Sequence, residues 1–143
     1  MDDQKSGGGA VGETNGAEAS GAVAKKVLVV DDESLVRKVI VRSLERMGYA
    51  ADDVGDGRSA LRAVEERGDE YACVLLDLTM PDIDGYETFR RIKKLRADLP
   101  VVIMSGHSRE EVVGRLSPDL ADGFLPKPFT MADVEALMSS LVS

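Results

Sequence analysis

Four short apolar runs, VLVV (27 to 30), CVLL (73 to 76), VVIM (101 to 104) and FLP (124 to 126), each stop at a polar residue: Asp31-Asp32, Asp77, Ser105 and Lys127. Runs of this length between stretches of helical period predict the buried strands of a parallel sheet. The segment from Ser34 to Met47 places Val36, Val39, Ile40, Leu44 and Met47 on one side of a helix, with Gly48 as its stop. YAADDV (49 to 54) reads as a weak second strand, and Asp56-Gly57 opens a second helix with Leu61 and Val64 inward. After the loop TMPDID, the capping-box spacing Asp84 to Glu87 precedes Tyr86, Phe89, Ile92 and Leu95 at helical intervals. Pro100 starts the fourth strand. Ser108 to Glu111 is a second capping box, whose short and mobile helix is soon broken by Gly114 and Ser117-Pro118. Thr130 to Asp133 caps a last helix carrying Val134, Leu137, Met138 and Leu141. Five βα units in succession predict an α/β three-layer sandwich.

At 143 residues the chain fits one ordinary domain. Residues 1 to about 24, rich in Gly, Ala, Ser and acids with no lasting apolar period, are expected to form a flexible tail, leaving a domain over 25–143. A formal net charge of -8 opposes binding to nucleic acid or anionic lipid. No apolar stretch approaches the roughly 20 residues that span a bilayer, and the amino terminus has no basic-then-apolar signal, so a cytoplasmic protein without membrane contact is expected. Cys73, the single cysteine, opens an apolar strand and is expected to be a buried structural thiol.

The polar residues that end the runs carry the candidate chemistry. In an open parallel sheet the carboxyl ends of neighbouring strands share one edge, which would bring together Asp31, Asp32, Asp77, Ser105 and Lys127. Each alone has an ordinary reading: an aspartate or serine at a strand end caps a helix or makes a turn. Three carboxylates on one edge repel one another, so the site should hold a proton or bind a hard divalent cation. Magnesium, which takes few protein oxygens and keeps open positions for a phosphate, suits a shallow edge. A carboxylate attacking phosphorus must overcome repulsion between anions, which a metal and a lysine remove. Asp77, magnesium and Lys127 meet that need, and Ser105 offers a hydroxyl to a phosphoryl oxygen.

VLVVDDE (27 to 33), LLDLTMPDIDG (75 to 85), VVIMSG (101 to 106) and FLPKPF (124 to 129) together resemble the motifs of response regulator receiver domains, over about residues 26 to 142. The resemblance implies a flavodoxin-like, doubly wound five-stranded parallel sheet of order 2-1-3-4-5. It further implies that Asp77 is the phosphoacceptor and Lys127 the phosphate-binding lysine. Asp32, Asp77 and the backbone carbonyl of Thr79 would be magnesium ligands, with Asp31 acting through water. Ser105 falls at the switch hydroxyl, Phe124 at the switch aromatic, and Lys127-Pro128 at a bond that is cis in the family. Thr79 and His107 fall at the mouth of the site, where they would modulate the lifetime of the acyl phosphate; His107 alone reads as a solvated loop side chain. The phosphoryl donor would be the phosphohistidine of a sensor kinase or phosphotransfer protein, or a small donor such as acetyl phosphate, and the expected output face is the fourth helix, last strand and last helix.

Two departures bear on output. The last helix, TMADVEALMSSLVS, has no basic residue, so pairing through arginines there is not expected and a monomer or weak dimer is. The chain ends at Ser143, so output by binding to a downstream protein is expected, and RLSPDLADGFLPKPF looks more like the receivers of hybrid sensor kinases. A phosphorylation-independent interaction module would have no need of Asp31, Asp32, Asp77, Ser105 and Lys127 together. An aspartyl phosphohydrolase would carry a second acid where Thr79 stands, and a flavin-binding protein would need a glycine- and hydroxyl-rich loop where Asp-Asp-Glu stands.

Overall fold

A computed structural model describes residues 26–79, 84–115 and 122–142 of the chain. The expected tail, residues 80–83 of the TMPDID loop and the Ser117-Pro118 break lie outside the described residues. The elements follow in strict alternation: β1 (Lys26–Val30), α1 (Ser34–Arg46), β2 (Ala50–Val54), α2 (Gly57–Arg67), β3 (Tyr71–Asp77), α3 (Gly85–Leu95), β4 (Val101–Ser105), α4 (Arg109–Arg115), β5 (Gly123–Pro126) and α5 (Met131–Val142). All pairings are parallel and the strand order is β2-β1-β3-β4-β5, as the sequence pattern and the resemblance predict.

Strand alternation divides the core in two. Leu28, Val30, Val74, Leu76, Val101 and Ile103 face one side of the sheet, packed with Ala60, Val64, Phe89, Ile92 and Val112 of α2, α3 and α4. Val27, Val29, Leu75, Val102 and Met104 face the other, against Ile40 and Leu44 of α1 and Val134 and Met138 of α5. The central strands are therefore apolar on both faces, which is why they read as unbroken apolar runs. Cys73 is buried, 3.9 Å from the Met138 sulfur. Among the described residues, no helix is long and apolar enough to cross a membrane.

Local signals set the helix ends. Asp56 accepts the Ser59 amide at 2.7 Å to start α2. Ser108 and Glu111, and Thr130 and Asp133, exchange reciprocal side-chain bonds at 2.8 to 3.2 Å ahead of α4 and α5. At the end of α1, Gly48 adopts φ +94°, its amide bonding to Glu45 O and that of Tyr49 to Leu44 O. This left-handed termination requires a glycine.

Five expectations need correction. Leu95 is 44% exposed, because steps of three residues fall 60° behind each turn and carry it off the face that buries Tyr86, Phe89 and Ile92. Val39 is 48% exposed, one residue out of line with Ile40 and Leu44. The Asp84 carboxylate caps the Tyr86 amide at 2.9 Å, while Glu87 bonds Arg91 at 2.9 Å. Finally, α4 continues through Gly114 to Arg115, and β4 begins at Val101 rather than Pro100.

Gly85 starts α3 against the backbone of Leu78, donating its amide to Leu78 O at 3.2 Å, and a Cβ there would overlap the Leu78 backbone. Gly114 has nothing within 4 Å of the same position. Urea unfolding should therefore find Gly85→Ala less stable by about 2–4 kcal/mol and Gly114→Ala more stable by up to about 1 kcal/mol. Equal effects would refute the close approach at Gly85.

Candidate functional site

Three strand-end side chains use one local device. Asp31 Oδ1 accepts the Glu33 amide at 2.9 Å, Asp77 Oδ1 accepts the Thr79 amide at 3.1 Å, and Ser105 Oγ accepts the His107 amide at 3.0 Å. An oxygen that bonds the amide two residues on turns the chain off the strand and fixes its own side chain over the sheet edge. The turn-forming and chemical readings of these residues are thus compatible, since each aspartate commits one oxygen to the turn and leaves the other for the site.

Those second oxygens converge on Lys127. Its Nζ lies 2.8 Å from Asp31 Oδ2, 3.5 Å from Asp77 Oδ2 and 3.9 Å from Glu33. Backbone bonds from the Lys127 amide to Ser105 O at 2.8 Å and from the Leu78 amide to Met104 O at 3.2 Å hold the β3, β4 and β5 ends level. Asp31, Asp77 and Ser105 are buried, whereas Asp32, Thr79 and His107 are exposed. Oxygens of Asp31, Asp32 and Asp77 all lie within 4.8 Å of one another. Ser105 shares a sheet face with Ile103, whose register partner across β4 and β5 is the half-buried Phe124. The Lys127-Pro128 peptide is cis.

Burial pushes the Asp77 carboxyl up to about 6, with Asp31 adding to the rise, against the opposing pull of the Thr79 amide and of Lys127. Burial also works against the charge on Lys127, but its bond to Asp31 and the nearby Asp77 hold its pKa above the ordinary lysine value. Three carboxylates and one ammonium leave the edge with an excess of negative charge. That excess, on oxygens close enough to share one ion, fits a hard divalent cation.

Arg37 was not singled out by the sequence pattern. Its Nη1 donates to Asp31 O at 2.7 Å and its Nε to Asp53 at 2.8 Å, tying α1 to the ends of β1 and β2. A Cβ on Gly55 would stand 3.0 Å from that guanidinium. The only sequence sign is a basic residue one helical turn beyond an acidic strand end, which is common without any such role.

Residues 27–139 match the response regulator receiver domain family. Response regulator MprA of Mycolicibacterium vanbaalenii is 37% identical over 118 residues, covering 82% of this chain and 50% of that protein. Sensor kinase CckA of Brucella abortus is 34% identical over 116 residues, covering 81% of this chain and 12% of that protein. The chain thus spans half the length of one of these relatives and a small part of the other. Among solved structures, the CheX-CheY-BeF3-Mg2+ complex from Borrelia burgdorferi superposes with a TM-score of 0.76 at 27% identity, covering 83% of this chain and 90% of that one. The fold and the sequence together define a receiver domain of two-component signalling, not a conventional metabolic enzyme. The chain belongs to the response regulator receiver family.

Asp77 has a higher pKa folded, about 6, than unfolded, near 3.8, so its ionisation opposes folding. The opposition is complete above pH 6 and absent below about pH 4. In EDTA, Asp77→Asn should be more stable than the wild type by about 1–3 kcal/mol at pH 7.5, an advantage that disappears as pH falls through that window. Denaturant melts across pH 4 to 8 measure this, and a less stable variant at pH 7.5 would contradict it.

Proposed function

We propose that Asp77 accepts a phosphoryl group from the phosphohistidine of a sensor kinase or phosphotransfer protein, and that the resulting acyl phosphate switches contacts with a downstream protein. The observation that carries this reading is the Asp77 carboxylate buried at the sheet edge, one oxygen 3.5 Å from the Lys127 ammonium and clustered with two further carboxylates. An Asp77 oxygen attacks phosphorus, the phosphorus–nitrogen bond breaks, and the imidazole leaves with the electron pair and takes a proton. Lys127 neutralises charge on the transferred oxygens and Ser105 donates its hydroxyl to one of them. Asp32, Asp77 and the Thr79 carbonyl would hold magnesium, with Asp31 acting through water, and the ion would supply charge neutralisation at the phosphoryl oxygens. Hydrolysis, in which water takes the phosphoryl group and frees Asp77, is self-catalysed, with Thr79 and His107 at the mouth setting its rate.

A phosphoryl group adds roughly 1.5 to 2 negative charges and three acceptor oxygens. Two charge-assisted bonds of about 1.5–3 kcal/mol each, made to Lys127 and Ser105 only in the phosphorylated state, suffice to bring a minor conformation to dominance. Ser105 drawn to the phosphoryl group frees space on the face it shares with Phe124, coupling the site to α4, β5 and α5. We place this domain over residues 25–143, after a tail, in a cytoplasmic protein that is a monomer or weak dimer and binds neither nucleic acid nor membrane through this function.

Beside the site, Leu35, at 75% the most exposed large apolar side chain among the described residues, lines a hollow of about 460 Å³ with Val36, Val39, Pro128 and Phe129. This apolar margin suits the docking of the phosphodonor. A second reading, a receiver segment of a hybrid kinase, is favoured by the similarity to CckA, in which the matching part is a small fraction of the protein.

The test is intact mass after incubation with acetyl phosphate and magnesium, with a phosphorylated histidine phosphotransfer protein as a second donor. One phosphoryl group should be gained, and lost in Asp77→Asn. Leu35→Asp should slow transfer from the protein donor at least tenfold and leave transfer from acetyl phosphate unchanged. No gain with either donor would instead support a phosphorylation-independent interaction module.

A further inference from the structure

On the sheet face away from α1 and α5, α2 and α3 pack side by side and leave an open groove of about 670 Å³ between their outer surfaces. Arg58 and Arg62 line it from α2, and Arg91 and Lys94 from α3, against the single carboxylate of Glu65. Two leucines complete it: Leu61, which reaches into the core, and Leu95, which is 44% exposed. Four cations against one acid is the reverse of the chain as a whole, whose net charge is -8.

Like charges adjoin along both helices that line the groove. Arg58 and Arg62 are four residues apart and Arg91 and Lys94 three apart, so like charges are neighbours along each helix. Among the described residues Arg62, Lys94 and Glu65 make no ion pair, and Arg91 pairs outside the groove with Glu87 at 2.9 Å. An anionic occupant would relieve the repulsion, and an apolar side chain on it would cover Leu95. A nucleic acid would satisfy the cations but not the leucines, and its dense charge would meet the repulsion of the whole chain.

From this charge complementarity we infer that the α2–α3 groove docks an acidic, leucine-bearing amphipathic segment of a partner protein. The groove lies across the sheet from Leu35 and Phe129, so its occupant and a phosphodonor can be bound together. Docking in this groove requires no phosphoryl group on Asp77.

The probe is a fluorescein-labelled helical peptide of about twelve residues, with leucines at every third or fourth position and glutamates between them. It should bind the full chain saturably by fluorescence polarisation and shift backbone amide resonances of α2 and α3. Arg62→Glu/Lys94→Glu should weaken binding at least tenfold, whereas Lys38→Glu/Arg42→Glu, the same change in net charge on α1, should alter it less than twofold. Circular dichroism melts establish that both variants fold. Absence of saturable binding at about 1 mM peptide, amide shifts confined to other elements, equal binding by a peptide with serine for leucine, or tighter binding by an oligothymidylate would each overturn the inference.

Discussion

Two buried carboxylates, Asp31 and Asp77, share a single ammonium, Lys127, at distances of 2.8 and 3.5 Å. The remainder of the architecture makes that arrangement unavoidable. A parallel sheet with apolar cover on both faces brings its strand ends to one edge, and β1, β3, β4 and β5 each give way there to a residue with a charge or a hydroxyl. Burial disfavours the charged form of Asp77, and the neighbouring Asp31 carboxylate adds to that cost, so the pKa of Asp77 is raised although Lys127 and the Thr79 amide pull the other way. A site poised in this way gains from anything that adds positive charge to it. Such frustration is the physical basis for reading it as a place where a cation and a phosphoryl group meet.

The recurring turn at Asp31, Asp77 and Ser105 explains how so short a chain positions the site. Each strand-end oxygen accepts the amide two residues on, so the loop that leaves the strand also orients the side chain it presents at the sheet edge. Arg37 adds a tie from α1 to the Asp31 carbonyl, and Gly85 lets α3 close on the backbone beyond Asp77.

Much of this was legible in the residues alone, for reasons that differ by element. The central strands were visible because helices cover both their faces, and α4 and α5 because their capping boxes close reciprocally. β2 was faint, as an edge strand carrying Asp52 and Asp53 must be. Leu95 and Val39 were misjudged because apolar spacing marks a helical stripe without fixing its width, and both lie at its margin. Their exposure proved informative, since each lines a surface hollow. Arg37 was illegible: its partners are a backbone carbonyl and an acid sixteen residues away, neither of which leaves a pattern in the sequence.

The account rests on the charge state of one carboxyl. A carbon-detected NMR titration of the Asp77 side chain in metal-free protein reads it directly. The account predicts a midpoint near pH 6, falling by at least one unit when magnesium is added. A midpoint at or below 4 in metal-free protein would contradict it, because Lys127 would then already balance the edge and no electrostatic strain would remain for a cation or a phosphoryl group to relieve.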